Sequence, residues 1–133
     1  MFPDPRLGVR DLLRELLAGR TEPYARDVEV STRGPSSRSD ETGGRPYVRV
    51  VSDGRFRNSR LNGRATVRVI VWHRDDGAAE ALAALCEALL LAAHGHGVRG
   101  FSPLVGPRPT GDPDTGAPMS YFTVTARLTP LAV

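Results

Sequence analysis

Ala65-Thr-Val-Arg-Val-Ile-Val-Trp72 and, two residues on, Asp75-Asp-Gly-Ala-Ala-Glu-Ala-Leu-Ala-Ala-Leu-Cys-Glu-Ala-Leu-Leu90 form the stretch on which the fold turns. In the first part Val67, Val69 and Val71 recur at every second residue, the period of a strand with one buried face. The opposite set begins with Thr66 and Arg68 and gives way to Ile70 and Trp72. A strand apolar on both faces at one end is central in its sheet and covered on both sides there, by the fold or by a partner. At Asp75-Asp76-Gly77 the period changes. Leu82, Leu85, Cys86, Leu89, Leu90 and Ala93 then fall on one wide stripe of a helix running to about His94. Ala78, Ala79, Ala83 and Ala84 keep the helix thin enough to lie close to a sheet, and Gly95 and Gly97 end it.

Upstream, Asp4-Pro5 is an N-cap followed by proline at the first helical position. Val9, Leu12, Leu13, Leu16 and Leu17 make an apolar stripe, and Gly19 is a natural stop. Asp27–Thr32 reads as a strand through Val28 and Val30, and Pro46–Ser52 as another through Val48 and Val50, with Asp53-Gly54 as a turn. Between these strands, 33–45 holds no apolar residue and is rich in Gly, Ser and charge, which predicts a flexible loop. Downstream, a short strand near Val98–Leu104 precedes a turn-rich loop at 105–118. Met119–Leu128 is the last strand, with Phe122, Val124, Ala126 and Leu128 inward and Tyr121, Thr123, Thr125 and Arg127 outward. The order α-β-β-β-α-β-β predicts an α+β fold: a single mostly antiparallel sheet of about four or five strands with two helices packed on one face. One domain over 1–133 is the expectation for this length.

Composition narrows the function classes. Apolar residues make up 40% and charged residues 25% of the chain, the range of a soluble globular protein. The longest apolar run, Ala78–Ala93, is interrupted by Glu80 and Glu87 and falls short of a membrane span. The start Met1-Phe-Pro-Asp-Pro5 has neither the basic nor the apolar region of a signal peptide, so the protein is expected to stay in the cell that makes it. A single cysteine, Cys86, allows no intrachain disulfide and no cysteine metal cluster. All 18 basic residues are Arg, balanced by 15 Asp and Glu to a net charge of +3. Genomic codon bias explains this usage, as does the preference for Arg in bidentate ion pairs at protein interfaces. Because the two signs are interspersed, a nucleic-acid binder is the weaker reading.

No constellation for catalysis stands out. His94-Gly-His96 sits at a predicted helix C-terminus, where the dipole favours His, and its spacing matches no zinc signature. Asp112-Pro-Asp114 is accounted for by turn chemistry, whereas a divalent-cation site needs about six oxygen ligands. Cys86, inside an apolar helix, reads as a core residue. There is no phosphate-binding glycine loop and no nucleophile elbow. The expectation is therefore a non-enzymatic protein with no metal and no cofactor. Arg55, Arg57, Arg60 and Arg64 form a local basic run, read as a solvated hairpin, an ion-pair surface between subunits or a phosphate-tracking patch.

Three segments carry a resemblance. Arg45-Pro-Tyr-Val-Arg-Val-Val51, the unit Ala65–Trp72 with Ala78–Cys86, and Asp112-Pro-Asp-Thr-Gly-Ala-Pro-Met-Ser-Tyr-Phe-Thr-Val124 resemble the tail terminator and tail-completion proteins of long-tailed bacteriophages, the actinobacteriophage type in particular. The match covers about the last two-thirds of the chain and rests on pattern and order. It implies a structural virion protein at the head-proximal end of the tail, assembled in the host cytoplasm. It implies a homo-hexameric ring that caps the tail tube, stops its polymerisation and meets a head–tail connector or neck protein. Its partners are then itself, the tail tube protein and the neck, with genomic DNA passing through the lumen without specific binding and no membrane. Arg33, Arg38, Arg45, Arg55, Arg57, Arg60, Trp72 and Tyr121 are the candidate interface residues. Two other readings stay open: another neck protein, such as a connector or tail-completion subunit, and a small Arg-rich nucleic-acid-binding module.

Overall fold

Asp4 is extended, and its carboxylate accepts the Arg6 backbone N–H at 2.9 Å. This cap satisfies one of the free donors of the helix that follows, α1 (Pro5–Leu17). In the computed structural model, which describes residues 3–34, 45–58, 63–111 and 118–130 (53–58 and 76 by backbone), α1 leads into a short 3-10 turn, Pro23–Ala25. The remaining elements are β1 (Glu29–Ser31), β2 (Tyr47–Asn58), β3 (Gly63–Trp72), α2 (Asp76–Leu91), β4 (Val98–Gly111) and β5 (Pro118–Leu128).

The strands form one sheet in the order β1-β2-β3-β5-β4. β1 runs parallel to β2, and every other neighbour is antiparallel. The expected α+β architecture is the observed one, with β3 central between β2 and β5. Period two then decides the faces. Val48, Val50, Val67, Val69, Val71, Phe122, Val124, Ala126 and Leu128 are fully buried on the side that meets the helices. α1 covers β1 and β2 with Val9, Leu12, Leu13 and Leu17; α2 covers β3, β4 and β5 with Leu82, Cys86 and Leu90. Gly8 permits the tight seat of α1, since a Cβ there would stand 2.5 Å from the His96 carbonyl oxygen. Ser120, the buried polar side chain of this face, donates to the Arg108 carbonyl at 3.1 Å.

Three boundaries differ from the sequence reading. β2 does not stop at Asp53-Gly54 but continues to Asn58, and a register shift between Ser52 and Phe56 absorbs the turn-like dipeptide. The segment 105–111, expected as loop, belongs to β4, which keeps pairing with β5 through shifts at Pro103/Val105 and Val105/Arg108. Gly106 is the pivot: its φ is +87°, and a Cβ would lie 2.6 Å from the Tyr121 carbonyl. Finally, α2 ends at Leu91, so His94 and His96 lie beyond the helix and do not cap it. His96 has φ +49° and places Nε2 2.8 Å from Glu15 Oε1 of α1. The expected loop at 33–45 falls, from 35 to 44, outside the described residues, as do Asp112 and Asp114.

Candidate interface on the open sheet face

The same alternation that buries one side of the sheet sends a second set of residues to the side without helices. Pairing sets them in rows across the strands: Tyr47, Trp72 and Met119; then Arg49, Ile70, Tyr121 and Arg108; then Val51, Arg68 and Thr123; then Thr66, Thr125 and Ser102. The last row sets Arg64 of β3 directly opposite Arg127 of β5. Like charges directly opposite on neighbouring strands repel, so this row costs stability unless an anion lies nearby. Glu29, at the β1 edge, is the one carboxylate in these rows among the described residues.

One end of this face is apolar and aromatic. Tyr47 is only 5% exposed, because its ring meets Trp72 edge-on at 5.8 Å and its hydroxyl donates to the Arg33 carbonyl at 2.7 Å. Ile70, Trp72, Met119 and Tyr121 are half-buried. The Arg68 guanidinium sits 5.7 Å from the Tyr121 ring centre, a cation–π contact. Arg49 lies among these groups, and its buried Nε has no acceptor. A buried donor without a partner costs free energy that an incoming acceptor would recover.

The sequence-derived candidates separate into three groups. Trp72 and Tyr121 are brought together on this face. Arg33 and Arg45 lie at the β1 margin instead. Arg45 bridges Asp27 at 3.1 Å and Glu29 at 3.3 Å, and Arg33 holds Tyr47 through its backbone. The side chains of Arg55 and Arg57, and all of Arg38 and Arg60, lie outside the described residues. The reading missed Arg49, Arg68 and Arg127 as interface candidates, and took Arg64 only as part of the local basic run. Alternation alone could have found them, because each shares its face with Ile70, Trp72 or Tyr121.

The sheet has two edges, β1 and β4, and β4 carries Pro103, Pro107 and Pro109. Proline has no N–H to offer a further strand, so these residues guard the edge against pairing. Elsewhere, burial pushes the Cys86 thiol up to about 12, leaving it protonated and inert in the core. Among the described residues, no three His, Cys, Asp or Glu side chains stand together as a metal site, and no helix is long and apolar enough to cross a membrane. No protein-family model matches the chain, and none of the curated proteins compared with it does either.

Proposed function

We propose that this chain is a non-enzymatic virion subunit, a tail terminator that closes as a hexameric ring on the head-proximal end of a phage tail tube. The observation that carries the reading is the one-sided cover of the sheet. Ile70, Trp72, Met119 and Tyr121 are left half-buried on a face shared with Arg49, Arg64 and Arg68, a surface composed for another protein. The α-β-β-β-α-β-β order and the segments quoted above, which resemble terminator proteins, supply the particular role. Its neighbours would be further copies of itself, the last ring of tail tube protein and a connector or neck protein, with DNA passing through the lumen. The prolines of the β4 edge disfavour added strands there and so support association through the face.

Reconstruction of the head-proximal end of the tail tests this reading. It should show the chain as one ring, absent from the repeating tube, and a tail assembled without it should lack a defined length. The chain repeating along the tube, or sitting at the distal tip, would remove the terminator assignment.

A further inference from the structure

The acidic side chains of the molecule are distributed unevenly in a way that answers the open face. Outside α2 and its N-cap, every carboxylate whose side chain is described has an arginine partner, except Glu15, which meets the His96 ring. Asp4 pairs with Arg6, Asp11 with Arg10, Glu22 with Arg20, Asp27 and Glu29 with Arg45, and Glu15 with His96. Glu80 and Glu87 have none among the described residues, and α2 contains no basic residue at all. On a helix, positions 80, 84, 87 and 91 fall on one side. In α2 this is the side away from the sheet: Glu80 and Ala84 are exposed, and Leu91 is one of three large apolar residues exposed among the described residues. The outer face of α2 is thus acidic along most of its length, small at Ala84 and Ala88, and apolar at its C-terminal end.

We infer that the outer face of α2 from a second copy of this chain docks on the open sheet face, with Glu80 and Glu87 over the arginines and Leu91 against Ile70 and Trp72. The spacing of the two surfaces agrees. Along a strand, Arg64 and Arg68 lie about 20 Å and about 7 Å from Ile70. Along a helix, Glu80 and Glu87 lie about 16 Å and about 6 Å from Leu91. Each carboxylate therefore arrives near an arginine when the apolar ends meet, and Ala84 and Ala88 let the helix approach closely. The two surfaces lie on opposite sides of one sheet, so the contact is head-to-tail, and it closes a ring where successive copies turn by a constant angle. The inference rests on the ring reading above and adds which faces meet. A single-stranded nucleic acid is the less suitable occupant. A stacking platform needs uncovered aromatic faces, and here Tyr47 is buried against Trp72 while Arg68 covers Tyr121.

Charge exchange on the full-length chain tests the docking. Arg64→Glu with Arg68→Glu turns the sheet face acidic, and Glu80→Arg with Glu87→Arg turns the helix face basic. Sedimentation across a concentration series, and binding to purified tail tubes, should show each variant losing at least about a hundredfold in self-association. An equimolar mixture should restore it, because every contact in an alternating ring is again between opposite charges. Circular dichroism and thermal unfolding of each variant confirm the fold, and the milder pair Arg64→Gln with Arg68→Gln should give an intermediate loss. If the wild-type chain forms rings that neither reversal weakens, the faces are wrongly assigned while the ring stands. If it forms no ring at any concentration or on tail tubes, the ring reading falls and the docking with it. Loss of oligonucleotide binding in the sheet-face variant, with no self-association of the wild type, would make the face a nucleic-acid surface and overturn the proposal.

Discussion

On the helix-covered side of the sheet, Val67, Val69, Phe122 and Val124 are fully buried among other apolar side chains; on the other side, Ile70, Trp72 and Tyr121 stop half-way and share the surface with Arg49, Arg64 and Arg68. Both sides are built from the same strands, and successive residues of β3 serve opposite sides. The difference lies in what covers them. The first side is finished by α1 and α2 and holds the subunit together. The second keeps apolar area and cationic charge that a subunit standing alone leaves in water, at a cost in stability and with a gain only on contact. Substitutions on the first side should therefore act on folding, and substitutions on the second on association.

The largest effect should come from Phe122→Ala. It empties the bulkiest fully buried site and should cost about 3–5 kcal/mol in denaturant unfolding. A loss below about 1 kcal/mol would show that the covered side is not the core. Cys86 on the same side tests burial by pH. Its folded value, about 12, lies above the ordinary 9.0, so its contribution is intact below pH 9.0 and is lost as pH rises toward about 12. Cys86→Ala should blunt this alkaline loss, and in the native wild type the thiol should resist alkylation until the chain unfolds. Equal alkaline profiles for the two chains would contradict the burial. Trp72→Ala, on the open side, should cost only about 1–2 kcal/mol in the isolated subunit while abolishing assembly. Assembly at wild-type strength would break the contrast between the sides. Smallest is Asp4→Ala, expected to remove about 1 kcal/mol by uncapping α1. The hydrogen bond from Arg6 holds the Asp4 carboxyl below its ordinary value, so this contribution is present above that value and is lost as pH falls. Thermal unfolding at neutral and acidic pH should show the two chains converging in acid.

Alternation made both faces of β3 and β5 legible, down to Ile70 and Trp72 needing a second cover, and the cap at Asp4 marked where α1 begins. What stayed hidden depends on pairing that no local pattern encodes. Val105 to Gly111 reads as loop because it is rich in proline and glycine, yet an edge strand next to β5 tolerates prolines, and shifts in register accommodate Gly106. Asp53-Gly54 has the chemistry of a turn, but the pairing of β2 with β3 on both sides of it keeps the strand going. Tyr47 falls on the outward face by alternation and is buried all the same, since Trp72 and the Arg33 carbonyl close over it from distant parts of the chain. The opposition of arginines is also a product of register: Arg64 and Arg127 are far apart in sequence and adjacent only once β3 and β5 are aligned.

The pairing of β3 with β5 also has a consequence during synthesis. β2 and β3 are neighbours in sequence and can pair once both have left the ribosome, but the other side of β3 waits for β5, some 46 residues later, counting from Trp72 to Pro118. Until then, β3, with Val67, Val69 and Val71, presents an unpaired edge, the kind of surface that recruits other nascent chains. α2 is translated within that interval and lies on the same strand, so it shields the Val67–Val71 face while the edge is still open. A slow-translating stretch placed after α2 would lengthen this exposure, and one placed before β3 would not, so codon choice within 92–117 bears on the yield of folded subunit.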